Sequence, residues 1–196
     1  MGLFDFLKPK RSAAMVGLPP SEPPLTELDI FQDPHYLALW VNRYFLENYP
    51  LEKNYELVPD DETRESLGIT FAQRERCARE YSVLRISGVS CFIKRAYDDV
   101  FWLTFSSDIA APLTRQIFSS GWEERLKDTA EALDRYVSLM SNGNLSECSQ
   151  FYMTRLYDDN SKFLRMKIAG IGDIAPSQIM DAYEIMQDAY TTVMSK

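Results

Sequence analysis

A single histidine, His35, occurs in this chain of 196 residues. That scarcity removes most histidine-dependent chemistry at once. A di-metal site in a helical bundle needs Glu-x-x-His pairs facing inward, and the residue three before His35 is Gln32. A nucleophile activated by histidine would have to use His35 alone, and no G-x-S-x-G turn singles out a serine for it. Sitting just behind Asp33 and Pro34, His35 reads as a surface residue in the first turn of a helix. Cysteine is nearly as rare. Cys77, Cys91 and Cys148 are odd in number and widely spaced, which excludes a disulfide scaffold or a zinc knuckle. They read as small buried hydrophobes in a reducing compartment, so a cytoplasmic location is expected.

Long apolar runs are missing too. No stretch reaches the roughly eighteen residues that a membrane-spanning helix needs. The opening "MGLFDFLKPKR" does not read as a signal peptide, because Asp5 interrupts the apolar part and the basic residues follow it. Neither a Walker loop nor a G-x-G-x-x-G is present, and "GIGD" at Gly170 to Asp173 reads as a turn. No repeat organises the chain. Nothing here implies a cofactor.

Aromatic residues are plentiful, at 13%, mostly 11 Tyr and 11 Phe. Tyr suits half-wet positions, since its ring buries while its hydroxyl stays bonded. Acidic residues exceed basic ones, for a net charge of −8. That balance speaks against a nucleic-acid binder, which needs dense Lys and Arg to displace counterions. It suits a basic protein partner.

Periodicity predicts an all-α fold, an irregular bundle of six or seven mostly antiparallel helices with a proline-rich N-terminal arm. The arm spans 1–32. Pro19, Pro20, Pro23 and Pro24 favour extended chain there, while Leu25, Leu28, Ile30 and Phe31 suggest that its end is pinned down. A single helical domain is expected over 33–196. Its first helix begins with Asp33 as N-cap and Pro34 at the first helical position. Leu37, Trp40, Val41, Tyr44 and Phe45 mark its apolar face. Residues 70–105 are harder to read. Ser87 and Gly88 either break a helix or lie in a close crossing, and "DVFWLTF" reads as helix because no second strand exists to pair with it. "SSDIAAPLTRQIFSSG" reads as a loop with a short helix after Asp108. The clearest helix runs from Trp122 to a stop at Gly143. Asn144 caps the next, "SKFLRMKIAG" reads as a short helix or strand, and Pro176 opens the last helix.

Carboxylates come in clusters, at Asp60–Asp61–Glu62, Asp98–Asp99, Glu123–Glu124 and Asp158–Asp159. Adjacent residues on a helix point about 100° apart, so these doublets read better as solvated caps than as facing pairs. A carboxylate-based, divalent-metal-dependent hydrolase stays open only on their number. Charge is also uneven along the chain. Residues 19–68 hold eleven acids against three bases, and residues 69–97 hold six bases against two acids. The acidic segment either lies against the basic helix or faces a basic partner. The second alternative predicts a protein-binding module, an acidic inhibitor or immunity-type neutraliser, using Glu52, Glu56, Asp60, Asp61, Glu62 and Glu65. At the N-terminus, Leu3, Phe4, Phe6 and Leu7 can share one side of a two-turn helix beside Lys8, Lys10 and Arg11. They are expected to dock on the protein's own body or on a second copy in a homo-oligomer. The alternative is weak membrane contact through residues 1–11, which would make the chain a membrane-peripheral structural or adaptor subunit.

Overall fold

The computed structural model describes residues 26–48, 54, 70–156 and 174–195. These form seven α-helices and no strand among the described residues. The helices are α1 (Glu27–Gln32), α2 (Pro34–Val41), α3 (Phe71–Ala96), α4 (Asp99–Ile117), α5 (Trp122–Ser141), α6 (Leu145–Leu156) and α7 (Ile174–Met194). The expected all-α irregular bundle is what the chain adopts.

Local chemistry sets the ends. Asp33 accepts hydrogen bonds from the backbone N–H of His35 and Tyr36, and Pro34 takes the first helical position of α2. The pinned end of the arm is itself a helix. Thr26 and Asp29 close a reciprocal capping box at the start of α1, and the bonds from Thr26 hold the Asp29 carboxyl below its ordinary range. Ile30 and Phe31 then enter the core. Phe31 packs against Trp40 and Tyr190 at ring separations of 5.7 and 5.9 Å, and its carbonyl accepts from the Tyr97 hydroxyl at 2.9 Å. Past Val41 the helix widens into a π-helical turn, Asn42–Glu47. Tyr44 stacks on Trp40 there, 5.1 Å between centroids.

The uncertain stretch resolves into two helices meeting at Asp98, which caps α4 by accepting from Phe101 N. The stretch 106–121, expected as a loop with a short helix after Asp108, is instead helical as far as Ile117 and forms the second half of α4. Pro112 lies inside that helix, and Ile109, Leu113 and Ile117 on either side of it are buried. Burial of that stripe outweighs the missing N–H, which would otherwise break the helix.

Helix α3 is the axis of the bundle. It touches α4, α5, α6, α7 and the π turn, so its flanks are covered on nearly every side. Cys77, Ala78, Tyr81, Val83, Leu84, Ile86, Val89, Phe92 and Ile93 are all buried. Polar residues between them are buried as well, and Ser87 satisfies its hydroxyl on the Val83 carbonyl one turn back, at 2.8 Å. At Gly88 the helix meets α7 so closely that an added Cβ would stand 2.2 Å from the Ile179 carbonyl oxygen. The Ser87–Gly88 pair is therefore a crossing and not a break. α3 and α4 run antiparallel, with Lys94 over Trp102 at one end and Arg79 over Phe118 at the other.

Candidate functional site

Three features gather polar or unpartnered groups from separate helices. The first is buried. Glu80 on α3 has only 7% of its side chain exposed. Its Oε1 accepts from Arg155 Nε of α6 at 2.6 Å and from the Tyr136 hydroxyl of α5 at 2.7 Å. The outer nitrogens of Arg155 reach Asp128 of α5 at 3.3 and 3.4 Å. Burial pushes the Glu80 carboxyl above its ordinary value, while the Arg155 charge and the Tyr136 hydrogen bond pull it back; burial is the larger effect. Arg155 is held protonated by Glu80 and Asp128, which outweigh its own desolvation. Tyr136 is pushed far up by burial and by the Glu80 charge. One turn further along the same seam, Cys77 Sγ lies 3.0 Å from the Tyr152 hydroxyl. These groups face one another. Their chemistry is to fix α5 and α6 on α3 in one register.

Nearby, Asn54 is the one described residue between 49 and 69, within the acidic segment, and it is fully buried. Its amide donates to the Ala78 carbonyl and to Ser82 Oγ, both at 2.9 Å, while Arg85 donates to its oxygen at 2.8 Å. The acidic segment is thus tied at this point to the basic helix. Glu52, Glu56, Asp60, Asp61, Glu62 and Glu65 lie outside the described residues, as do Leu3, Phe4, Phe6 and Leu7.

The second feature is a groove of about 560 Å³ where the C-terminal ends of α3 and α5 meet the first half of α7. Cys91, Met140, Ile179 and Met180 give it apolar walls, and Lys94 and Arg95 border it beside Tyr183. Arg95 reaches the Tyr183 hydroxyl at 3.4 Å. The Lys94 ammonium lies 5.7 Å over the Trp102 ring. Burial pushes the Cys91 thiol up to about 12 and the Cys148 thiol up to about 11. Thiolate is the reactive form, so neither cysteine is expected to be alkylated by iodoacetamide at neutral pH while the protein stays folded. Mass spectrometry of native against urea-unfolded protein measures this, and rapid native labelling would refute it.

The third feature lies on α1 and α2, which pack together. Leu28, Tyr36 and Leu39 leave large apolar side chains in solvent. His35 is also exposed, and its Nδ1 lies 2.5 Å from Asp108 Oδ2 of α4, a surface pair as expected for a first-turn residue. Asp60–Asp61–Glu62 and Asp158–Asp159 lie outside the described residues, and the two doublets within them do not converge. Asp98 is a cap, and Asp99, Glu123 and Glu124 are exposed in the first turns of α4 and α5. Among the described residues no group of three His, Cys, Asp or Glu is placed to hold a metal ion, and no helix is long and apolar enough to cross a membrane.

Of these features, sequence reading identified the bases of the groove only as part of a basic run. It counted Glu80 only among the acids of that run and did not single out Arg155. The available signal was that Glu80 has Cys77, Val83 and Leu84 as its helical neighbours, a setting that puts an acid on a buried face. The fold and these sites define an irregular helical bundle, with seven α-helices among the described residues, a buried ion pair at its axis and an open basic-edged groove at one end. No family model matches the chain, and no curated protein or solved structure matches it either.

Proposed function

We propose that the chain is a protein-binding module for a basic partner, in the manner of an acidic inhibitor or an immunity-type neutraliser. The observation that carries this reading is the surface of α1 and α2. Leu39, 56% exposed, stands with Leu28 and Tyr36 as apolar surface left in water. Glu27, Asp29, Asp33 and Glu47 supply four carboxylates around the same stretch, against Arg43 as its one arginine. Apolar anchors supply affinity once water is excluded from them. Surrounding carboxylates speed encounter with a basic surface and reject acidic ones. The net charge of −8 acts in the same sense.

Captured from its native cell at low ionic strength, the chain is expected to retain one stoichiometric partner of net positive charge. Added salt should release that partner, and Tyr36→Ser combined with Leu39→Ser should abolish its retention. Both side chains are exposed, so the variant should melt as the parent does. Retention of an acidic partner, or undiminished retention by the double variant, refutes the reading.

A further inference from the structure

We propose that the groove between α3, α5 and α7 binds a small amphiphilic carboxylate, with its head on Lys94 and Arg95 and its apolar tail along Met140, Ile179 and Met180. The site is separate from the α1–α2 surface and does not depend on it.

Four observations converge. The groove holds about 560 Å³, inside the range of roughly 300–1,000 Å³ typical of small-ligand sites. Its walls are predominantly apolar side chains, and two of them are methionines, whose unbranched thioethers adapt to irregular ligands. Two cations adjacent in sequence stand at its edge, and among the described residues no carboxylate comes within 4 Å of either; Glu184, just after Tyr183 on α7, reaches neither. In a chain with net charge −8, an unneutralised Lys–Arg pair beside an apolar trough favours an anion with a hydrophobic body.

The last observation concerns helix ends. Lys94 and Arg95 occupy the last turn of α3, where cations commonly offset the helix dipole. That role would be served from any direction around the helix. Here Arg95 is turned toward α7 by the Tyr183 hydroxyl, and Lys94 reaches across to Trp102. The C-terminus of α5 beside them does not repel an anion strongly, because its closing carbonyls are occupied. Those of Ser138, Leu139 and Met140 accept from Asn142, Asn144 and Gly143.

Dodecanoate below its micelle concentration is the probe. Titrated into the full chain, it is expected to bind saturably at one site and to shift the labelled methyls of Met140 and Met180. Trp102 fluorescence should change as the carboxylate draws the ammonium away from the ring. Lys94→Ala with Arg95→Ala should weaken binding about tenfold, the loss expected when a charge-assisted contact is removed. Both side chains are exposed, so the variant should stay folded, with only the small loss of melting temperature that follows from the Trp102 and Tyr183 contacts. Met180→Glu should block the site from the α7 side. Dodecanol and dodecyltrimethylammonium test the head group, and phosphatidylglycerol vesicles test a lipid surface as the source of anionic chains. No saturable binding of dodecanoate overturns the proposal. So does equal binding of the alcohol or the cation, unchanged affinity in the Lys94/Arg95 variant, or binding to the vesicles alone.

Discussion

Gly88→Ala is expected to destabilise the protein by at least about 2 kcal/mol, lowering its melting temperature by several degrees. On an isolated helix the same change would stabilise, since alanine is favoured over glycine by about 1 kcal/mol. The sign reverses because of what the new methyl meets. It would stand 2.2 Å from the Ile179 carbonyl oxygen, 2.8 Å from the Ala182 Cβ and 3.0 Å from the Tyr183 nitrogen. Two of these are backbone atoms of α7, and backbone cannot rotate out of the way as a side chain can. Helix α7 must move off α3 as a body, opening the packing of Phe92 against Tyr183 and Tyr190. Overpacking of this kind typically costs about 1–3 kcal/mol and sometimes more. Among the described helices, the most extensive contact is the one disturbed. Gly88→Val should be worse still. Adding Ala182→Gly to Gly88→Ala should restore part of the loss by removing the 2.8 Å contact, while the carbonyl contact stays. Urea unfolding of the three variants measures the effect. Wild-type stability in Gly88→Ala would show that α3 and α7 do not cross here.

That crossing also shows why α3 was hard to read in the sequence while α2 and α5 were not. Helices α2 and α5 carry local punctuation, Asp33 with Pro34 at one start and Gly143, at φ 71°, past one end. Each also faces water on one side, so its apolar residues recur in a stripe. Helix α3 is covered nearly all round, so no stripe exists, and its small residues Ser87, Gly88 and Ser90 look like a break. Their smallness is what allows a close approach. Helix α4 was hidden differently. Pro112 and the polar run before it resemble a loop, and only the tertiary burial of Ile109, Leu113 and Ile117 overrides that local signal. Helix α1 was legible in principle, since Thr26 and Asp29 have the spacing of a capping box; the prolines before it drew the reading toward an extended arm.

The sites were less legible than the fold, for a plain reason. Glu80 and Arg155 are 75 residues apart, and no local spacing announces a partner at that distance. Glu75 with Arg79, at i and i+4, is the kind of pair that sequence does announce, and it is only half-buried. The groove likewise exists only because α5 and α7 bring Met140 and Met180 beside the end of α3. Lys94 and Arg95 were visible as bases, but nothing along the chain distinguishes them from the other bases of α3.

Removing the guanidinium at the bundle's axis should be the most costly polar change in the protein, and its pH dependence distinguishes the mechanism. Arg155→Met leaves the Glu80 carboxylate buried with only the Tyr136 hydroxyl to answer it. Breaking a buried pair on one side typically costs about 3–5 kcal/mol. The lower figure is expected, because Arg155 keeps 20% of its side chain in water. In the wild type the Glu80 value is already raised by burial. Its contribution to stability is therefore fully present below the ordinary carboxylate value and is lost as pH rises through the folded one. Without Arg155 the opposing pull disappears and the folded value moves higher. The variant's deficit should then be small in acid, where Glu80 carries its proton, and should grow toward neutral pH. Glu80→Gln added to Arg155→Met removes the buried charge and keeps an acceptor for Tyr136. That double variant should be more stable than Arg155→Met alone at neutral pH, and its stability relative to wild type should lack the variant's steep fall across the weakly acidic range. Denaturant unfolding at several pH values reads both effects. A deficit in Arg155→Met that is the same at every pH, or a double variant less stable than the single at neutrality, would mean that Glu80 is not held at the axis as a desolvated acid.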